Sequence, residues 1–146
     1  MNKPFILGFY GKSNIGKTTL ILRIIEELSA KGLNIASIKI TDKKIGFDTV
    51  GKDTWKYAES GSKFIILSSK NETDYIIKQK HTINQIVENI SNFDEVDIIL
   101  VEGAFEKDIP KIRLGDIELR ENTVYTYDED FNSLLNIIKH MADVEE

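Results

Sequence analysis

Gly11-Lys12-Ser13-Asn14-Ile15-Gly16-Lys17-Thr18 stands between an apolar run, Phe5 to Tyr10, and a stretch whose apolar residues recur at helical spacing. These residues match G-x-x-x-x-G-K-[ST], a strand-to-helix turn in which successive backbone N–H groups converge on one point. Gly11 and Gly16 permit the backbone angles this needs, and the amino end of the following helix adds partial positive charge at the same place. A phosphate group is the natural occupant. Lys17 would reach the β- and γ-phosphate oxygens, and the Thr18 hydroxyl would ligate Mg²⁺. The expected cofactors are a purine nucleoside triphosphate, GTP or ATP, and Mg²⁺, held by the unbroken run from Gly11 through Thr19. Lys17 is expected to face solvent until phosphate meets it.

Outward from the loop, short apolar runs alternate with longer stretches of i, i+3, i+4 spacing, the pattern of strands separated by helices. Phe5–Tyr10 is the first strand, and Thr18–Lys31 a helix burying Ile21, Ile24, Ile25 and Leu28 and stopped by Gly32. Leu33–Ile40 makes a second strand, Lys52–Ser60 a helix, Lys63–Ser68 a third strand and Asp74–Lys78 a weaker one. Thr82–Ile90 suits a helix, Asp97–Val101 a strand buried on both faces, and Phe131–Met141 a closing amphipathic helix. Ile112–Leu114 and Val124–Tyr127 have the look of short edge or antiparallel strands. The fold class expected is α/β: one domain over residues 1–146, a P-loop NTPase-like three-layer sandwich on a mostly parallel sheet.

Strand 97–101 runs into Glu102-Gly103, which places a carboxylate at the C-terminal edge of a buried strand, where open α/β sheets bind ligands. Glu102 is the second metal candidate beside Thr18; the competing role is that of a turn residue. Asp97 opens the same strand, and about five residues at roughly 3.3 Å each separate it from Glu102, so both cannot serve one ion. A strand-start cap suits Asp97 better. The polar connection from Thr41 to Thr54 is long for a compact domain and carries Asp42, Asp48 and Asp53, placed where a switch loop would sense Mg²⁺ or orient an attacking water. Asp48 and Asp53 join Lys17 as catalytic candidates; Asp53 or Thr54 could instead cap the helix that follows. Trp55 and Tyr57 suit packing.

Composition narrows the classes. With 146 residues, 41% of them hydrophobic, the chain can bury a core of its own. Having no cysteine, it lacks disulfides, thiolate metal sites and thiol nucleophiles, and His81 and His140 cannot hold zinc alone. No apolar run approaches the roughly 20 residues that span a bilayer, and the first residues lack a small-residue cleavage site. A net charge of −5 without a basic run argues against a nucleic-acid surface. The expectation is a cytoplasmic protein with no membrane and no nucleic-acid partner.

Three stretches, GKSNIGKTTL at 11–20, FDTVGKDTWKYAESGS at 47–62 and DIILVEGAFEKDIPKI at 97–112, in this order and spacing, make the chain resemble the MobB family, molybdopterin-guanine dinucleotide biosynthesis protein B, over nearly its whole length. The resemblance implies a homodimeric GTP-binding accessory protein with weak Mg²⁺-dependent GTP hydrolysis. It would assist a separate molybdopterin guanylyltransferase, with a molybdenum-inserting protein as a further partner. Carried over by position, Gly16, Lys17 and Thr18 hold phosphate and metal, Asp48, Gly51, Lys52 and Asp53 fall on the family's G-K-D block, and Glu102 and Gly103 on its L-V-E-G block. The chain departs from the family at Ile40, Asp42 and Lys43, where members often carry histidines. It also has no Asn-Lys-x-Asp motif for guanine, so GTP rests on the resemblance and ATP stays open. A small-molecule kinase would want arginines to clamp the moving phosphoryl group, and only Arg23, Arg113 and Arg120 exist. A nickel-delivering GTPase would want Cys or His clusters. A scaffold with a vestigial nucleotide site is the non-enzymatic rival. Lys12, five residues before Lys17, has the spacing of a lysine that reaches phosphates of a facing subunit in dimeric P-loop ATPases; the plainer role is a solvated loop side chain.

Overall fold

The computed structural model describes residues 3–144. The element order is β1 (Phe5–Tyr10), α1 (Lys17–Ala30), β2 (Ile35–Lys39), α2 (Asp53–Glu59), β3 (Phe64–Ser68), β4 (Thr73–Ile77), α3 (Ile83–Phe93), β5 (Ile98–Glu102), β6 (Lys111–Arg113), β7 (Thr123–Thr126) and α4 (Phe131–Met141). The chain gathers into two compact units, one drawn from its two ends, up to Thr41 and from Ile90 onward, the other from Asp42–Asn89.

The first unit is a five-stranded sheet in the order β2-β5-β1-β6-β7, with every adjacent pair parallel. Strand alternation sends Leu7, Phe9, Ile98, Leu100 and Ile112 to one face, where they form one core with Leu20, Ile24 and Leu28 of α1 and Phe131, Leu134 and Ile138 of α4. Ile21 and Ile25, expected inside, are only partly buried at its border. Helix α1 ends in a Schellman turn: Gly32, at φ 84°, donates to Ser29 O at 2.9 Å and Leu33 donates to Leu28 O at 3.3 Å. Helix α4 is capped by Asp130, whose carboxylate accepts from Ser133 N at 3.1 Å and Ser133 Oγ at 2.7 Å. Asp130→Ala is expected to cost about 1 kcal/mol and lower Tm by about 2–4 °C in a thermal melt, with nucleotide binding unchanged.

Two expectations from sequence change here. Strand β6 is neither edge nor antiparallel: its three residues lie between β1 and β7, parallel to both, and β7 is a parallel edge strand. The antiparallel pair belongs to the second unit, where β3 and β4 form a two-stranded sheet of their own with Phe64 opposite Ile77 and Ile66 opposite Tyr75. On that sheet Ile65 is buried, while Phe64, Ile66, Tyr75 and Ile77 are exposed on the other face. No helix among the described residues is long and apolar enough to cross a membrane.

Candidate functional site

Strand β1 ends at Tyr10, and the chain turns through 11–16 into α1 with Asn14 at φ 63° and Gly16 at φ 100°, both left-handed. Such angles cost non-glycine residues about 1–3 kcal/mol and persist where the surroundings require them. No side chain caps α1 and no acidic residue sits in its first turn, so its leading N–H groups are open to an anion. The loop fits closely against the segment leaving β6: a Cβ on Gly11 would lie 2.7 Å from Leu114 O, and one on Gly115 would lie 3.6 Å from Ile15 Cδ1. Ser13, Asn14, Gly16, Thr18 and Thr19 are exposed, as a ligand-facing loop must be.

Lys17 is not the solvent-facing side chain its sequence position suggests. It is half-buried, and its Nζ donates to Gly11 O at 2.6 Å and to Lys12 O at 3.1 Å, which fixes the ammonium across the loop it belongs to. Lys12 itself is exposed, its carbonyl also accepting from Ile15 N at 3.3 Å.

Glu102 ends β5 beside Phe9, one strand from the root of the loop, and by alternation shares the face that packs α1. Its carboxylate is largely buried and lies 3.9 Å from Lys39 Nζ, an exposed partner that contributes little energy and can yield to a metal ion. Gly103, at φ 93°, has to be glycine, since a Cβ there would come 2.9 Å from Ile40 O. Asp97 stands at the opposite end of β5, where Oδ2 accepts from Asn34 N at 2.7 Å, the cap expected of it. Among the described residues no three His, Asp or Glu side chains gather into a protein-only metal site. Magnesium suits such a place, because it keeps several waters and shares phosphate oxygens with one or two protein ligands.

In the second unit, Asp48 reaches the first turn of α2, the helix that Asp53 begins. Asp48 Oδ1 accepts from Thr49 N at 3.1 Å and Thr54 Oγ1 at 2.9 Å, while Oδ2 is buried with no hydrogen-bond donor among the described residues. A buried carboxylate oxygen without a donor is costly, and points to a donor or cation that completes it. Asp53 is the first residue of α2, exposed, and Lys52 holds the cap position, so neither Asp53 nor Thr54 is the cap. Asp42 is exposed in the same loop. Thus the structure groups the loop 11–19 with Glu102 in one unit and Asp48 with Asp53 in the other.

The surroundings of three cations carried no sequence signal strong enough to find them. Arg23 stacks on Phe131 at 3.8 Å and serves packing. Lys111 is fully buried and Arg120 half-buried, both on the sheet face opposite α1, and burial pushes both below their ordinary pKa values. A lysine or arginine in a polar context reads as surface until tertiary contacts are known.

Known proteins agree with this architecture. The chain is 33% identical over 124 residues, 81% of its length and 67% of the relative's, to the molybdopterin-guanine dinucleotide biosynthesis adapter protein of Haemophilus influenzae. It is 30% identical over 112 residues to the protein of the same description from Escherichia coli, covering 75% of this chain and 64% of that one. The chain therefore spans about two thirds of these relatives. The crystal structure of Bacillus subtilis MobB superposes with a TM-score of 0.73 at 20% identity over 96% of this chain and 99% of that one, a likeness of fold. The family model for molybdopterin guanine dinucleotide synthesis protein B matches residues 6–140, and with the sheet order, the phosphate loop and the strand-end Glu102 this places the chain in the MobB family.

Proposed function

We propose that the chain is a nucleotide-binding adapter in molybdopterin-guanine dinucleotide formation. It binds GTP, with ATP as the alternative, together with Mg²⁺, and it acts beside a molybdopterin guanylyltransferase and a molybdenum-inserting protein in the cytoplasm. The observation that carries this reading is the uncapped amino end of α1 behind a glycine-shaped loop, with Lys17 already drawn across it. In this reading the N–H groups of 13–19 and Lys17 hold the phosphates, and Thr18 and Glu102 hold the metal. Mg²⁺ would neutralise charge on the β- and γ-phosphates. In the second unit, Asp48 and Asp53 are the residues proposed to hold a water, with Oδ2 of Asp48 as the acceptor still lacking a donor. The test is calorimetry of GTP, ATP and a guanosine monophosphate control, each with Mg²⁺ and with EDTA. Triphosphate binding strengthened by Mg²⁺ is expected; no triphosphate binding by the folded chain would sink the proposal.

Hydrolysis by the chain alone is expected to be slow, on the order of 10⁻⁴ to 10⁻² s⁻¹, because Arg23 is engaged with Phe131 and no arginine is supplied to the phosphate by the loop itself. Phosphate release faster than about one per second without a partner would contradict this. A homodimer fits the exposed apolar face of the β3–β4 sheet, since a two-stranded sheet is marginal in water without a covering layer. Ile66→Lys is expected to shift the mass measured by light scattering towards monomer. In a dimer whose phosphate loops face each other, Lys12 would stabilise charge on the facing subunit's phosphates, and Lys12→Ala would lower kcat more than it weakens binding. An equal loss in both would assign Lys12 to binding alone.

A further inference from the structure

Parallel strands of one sheet are normally joined by crossovers of a dozen or more residues containing a helix. Strands β5 and β6 are joined through 103–110 and β6 and β7 through 114–122, and neither connection contains a helix. The first lies on the sheet face opposite α1: a Cβ on Gly8 would meet Ala104 Cβ at 2.9 Å and Ile109 Cγ2 at 3.5 Å. Without a helix, carbonyls buried on this face need donors from elsewhere.

Two cations supply them. Lys111 is 0% exposed, and its Nζ donates to Ile109 O at 2.8 Å, to Glu121 O at 2.7 Å and to Glu106 O, so all three ammonium protons are used on two different loops. Arg120 Nη1 donates to Ala104 O at 2.9 Å, and its guanidinium lies 4.6 Å from the centre of the Tyr10 ring and 3.6 Å from that of Phe105. The Tyr10 hydroxyl accepts from Arg120 N at 3.1 Å and shares a 2.6 Å hydrogen bond with Thr123 Oγ1. Ala104, Glu106 and Ile109 all belong to the loop rooted at Glu102-Gly103, and Tyr10 is the residue before Gly11.

We propose that Lys111 and Arg120 form a two-cation clasp that fixes the 103–110 loop and thereby presents Glu102 to the nucleotide-bound metal in one orientation. They are positioning residues, and the proposal rests on the assignment of Glu102 to Mg²⁺ made above. A planar guanidinium stacked between two rings holds Ala104 O at a set distance and angle, whereas a neutral side chain of similar length would leave both rings and the carbonyl free to move.

The test uses the full chain with Arg120→Gln, Arg120→Lys and Lys111→Met, and Glu102→Gln as the reference for metal loss. Calorimetry gives the affinity for GTP in Mg²⁺ and in EDTA, and hydrogen exchange gives the protection of 103–110. Arg120→Gln is expected to raise exchange in this loop at least tenfold and to reduce the Mg²⁺-dependent gain in affinity at least fivefold, while affinity in EDTA changes less than twofold. Arg120→Lys should recover part of the gain. Lys111→Met should exceed Arg120→Gln in both effects; should it fail to fold, Arg120→Gln decides alone. Unchanged exchange, or equal losses in Mg²⁺ and EDTA, overturns the clasp. If Glu102→Gln itself leaves the Mg²⁺ gain intact, the metal assignment fails and the clasp's role fails with it; if Glu102→Gln abolishes the gain and Arg120→Gln does not, only the clasp fails.

Discussion

Lys17→Ala is expected to weaken GTP and ATP binding at least a hundredfold, about 2.7 kcal/mol, with the fold retained. The ammonium is held by Gly11 O at 2.6 Å and Lys12 O at 3.1 Å, so its side-chain entropy is already spent before phosphate arrives and its charge-assisted bonds to phosphate come at little further ordering cost. The same contacts give it a small structural role. Losing two half-exposed hydrogen bonds is expected to cost about 1 kcal/mol, a Tm shift of about 2–4 °C. Calorimetry and a thermal melt on one preparation separate the two effects. A variant that binds either triphosphate within threefold of wild type would show that phosphate is held elsewhere.

Gly11→Ala is expected to impair both stability and binding, because the new Cβ would lie 2.7 Å from Leu114 O and 3.1 Å from both Leu114 Cβ and Ile15 Cγ2. Leu114 O is main chain, and Leu114 N is itself bonded to Tyr10 O at 2.9 Å, so the obstacle cannot rotate away and the loop has to move. Overpacking of this kind costs about 1–3 kcal/mol, and a loop displaced by even a few tenths of an ångström no longer aims its N–H groups at one phosphate. Tm is expected to fall by several degrees and triphosphate affinity at least thirtyfold. Unchanged affinity with lowered Tm would mean that the contact with Leu114 supports the fold and has no part in shaping the phosphate site.

Much of the first unit was legible in the linear chain because its signals are local. The apolar run FILGFY, the glycine loop and the helical spacing of Ile24 and Leu28 each lie within a few residues, and strand and helix formed where these signals placed them, although the helix buries Leu20 and leaves Ile21 and Ile25 at the border. Glu102 could be placed at a strand's C-terminal edge from ILVEG alone, and Asp97 set aside for the same geometric reason. For strand β6 the chain showed a short strand at Ile112–Leu114 but not its place in the sheet, because so short a run has no period to tell an inner strand from an edge. What makes it an inner parallel strand is β1 on one side and β7 on the other. The orphaned Oδ2 of Asp48 was equally out of reach, since burial of one carboxylate oxygen is a property of its surroundings.

By itself the sequence determined the α/β class, the phosphate loop with its lysine and threonine, and the family, since backbone angles that only glycine adopts easily and apolar periodicity are set residue by residue. Tertiary structure alone decided that Lys17 is engaged by its own loop, that Glu102 faces Lys39, that β3 and β4 form a sheet apart, and that Lys111 and Arg120 turn inward. Each of these depends on which carbonyl, ring or carboxylate is brought close by residues distant in the chain. A cation placed at 111 is a surface residue until the carbonyls of 106, 109 and 121 close around it.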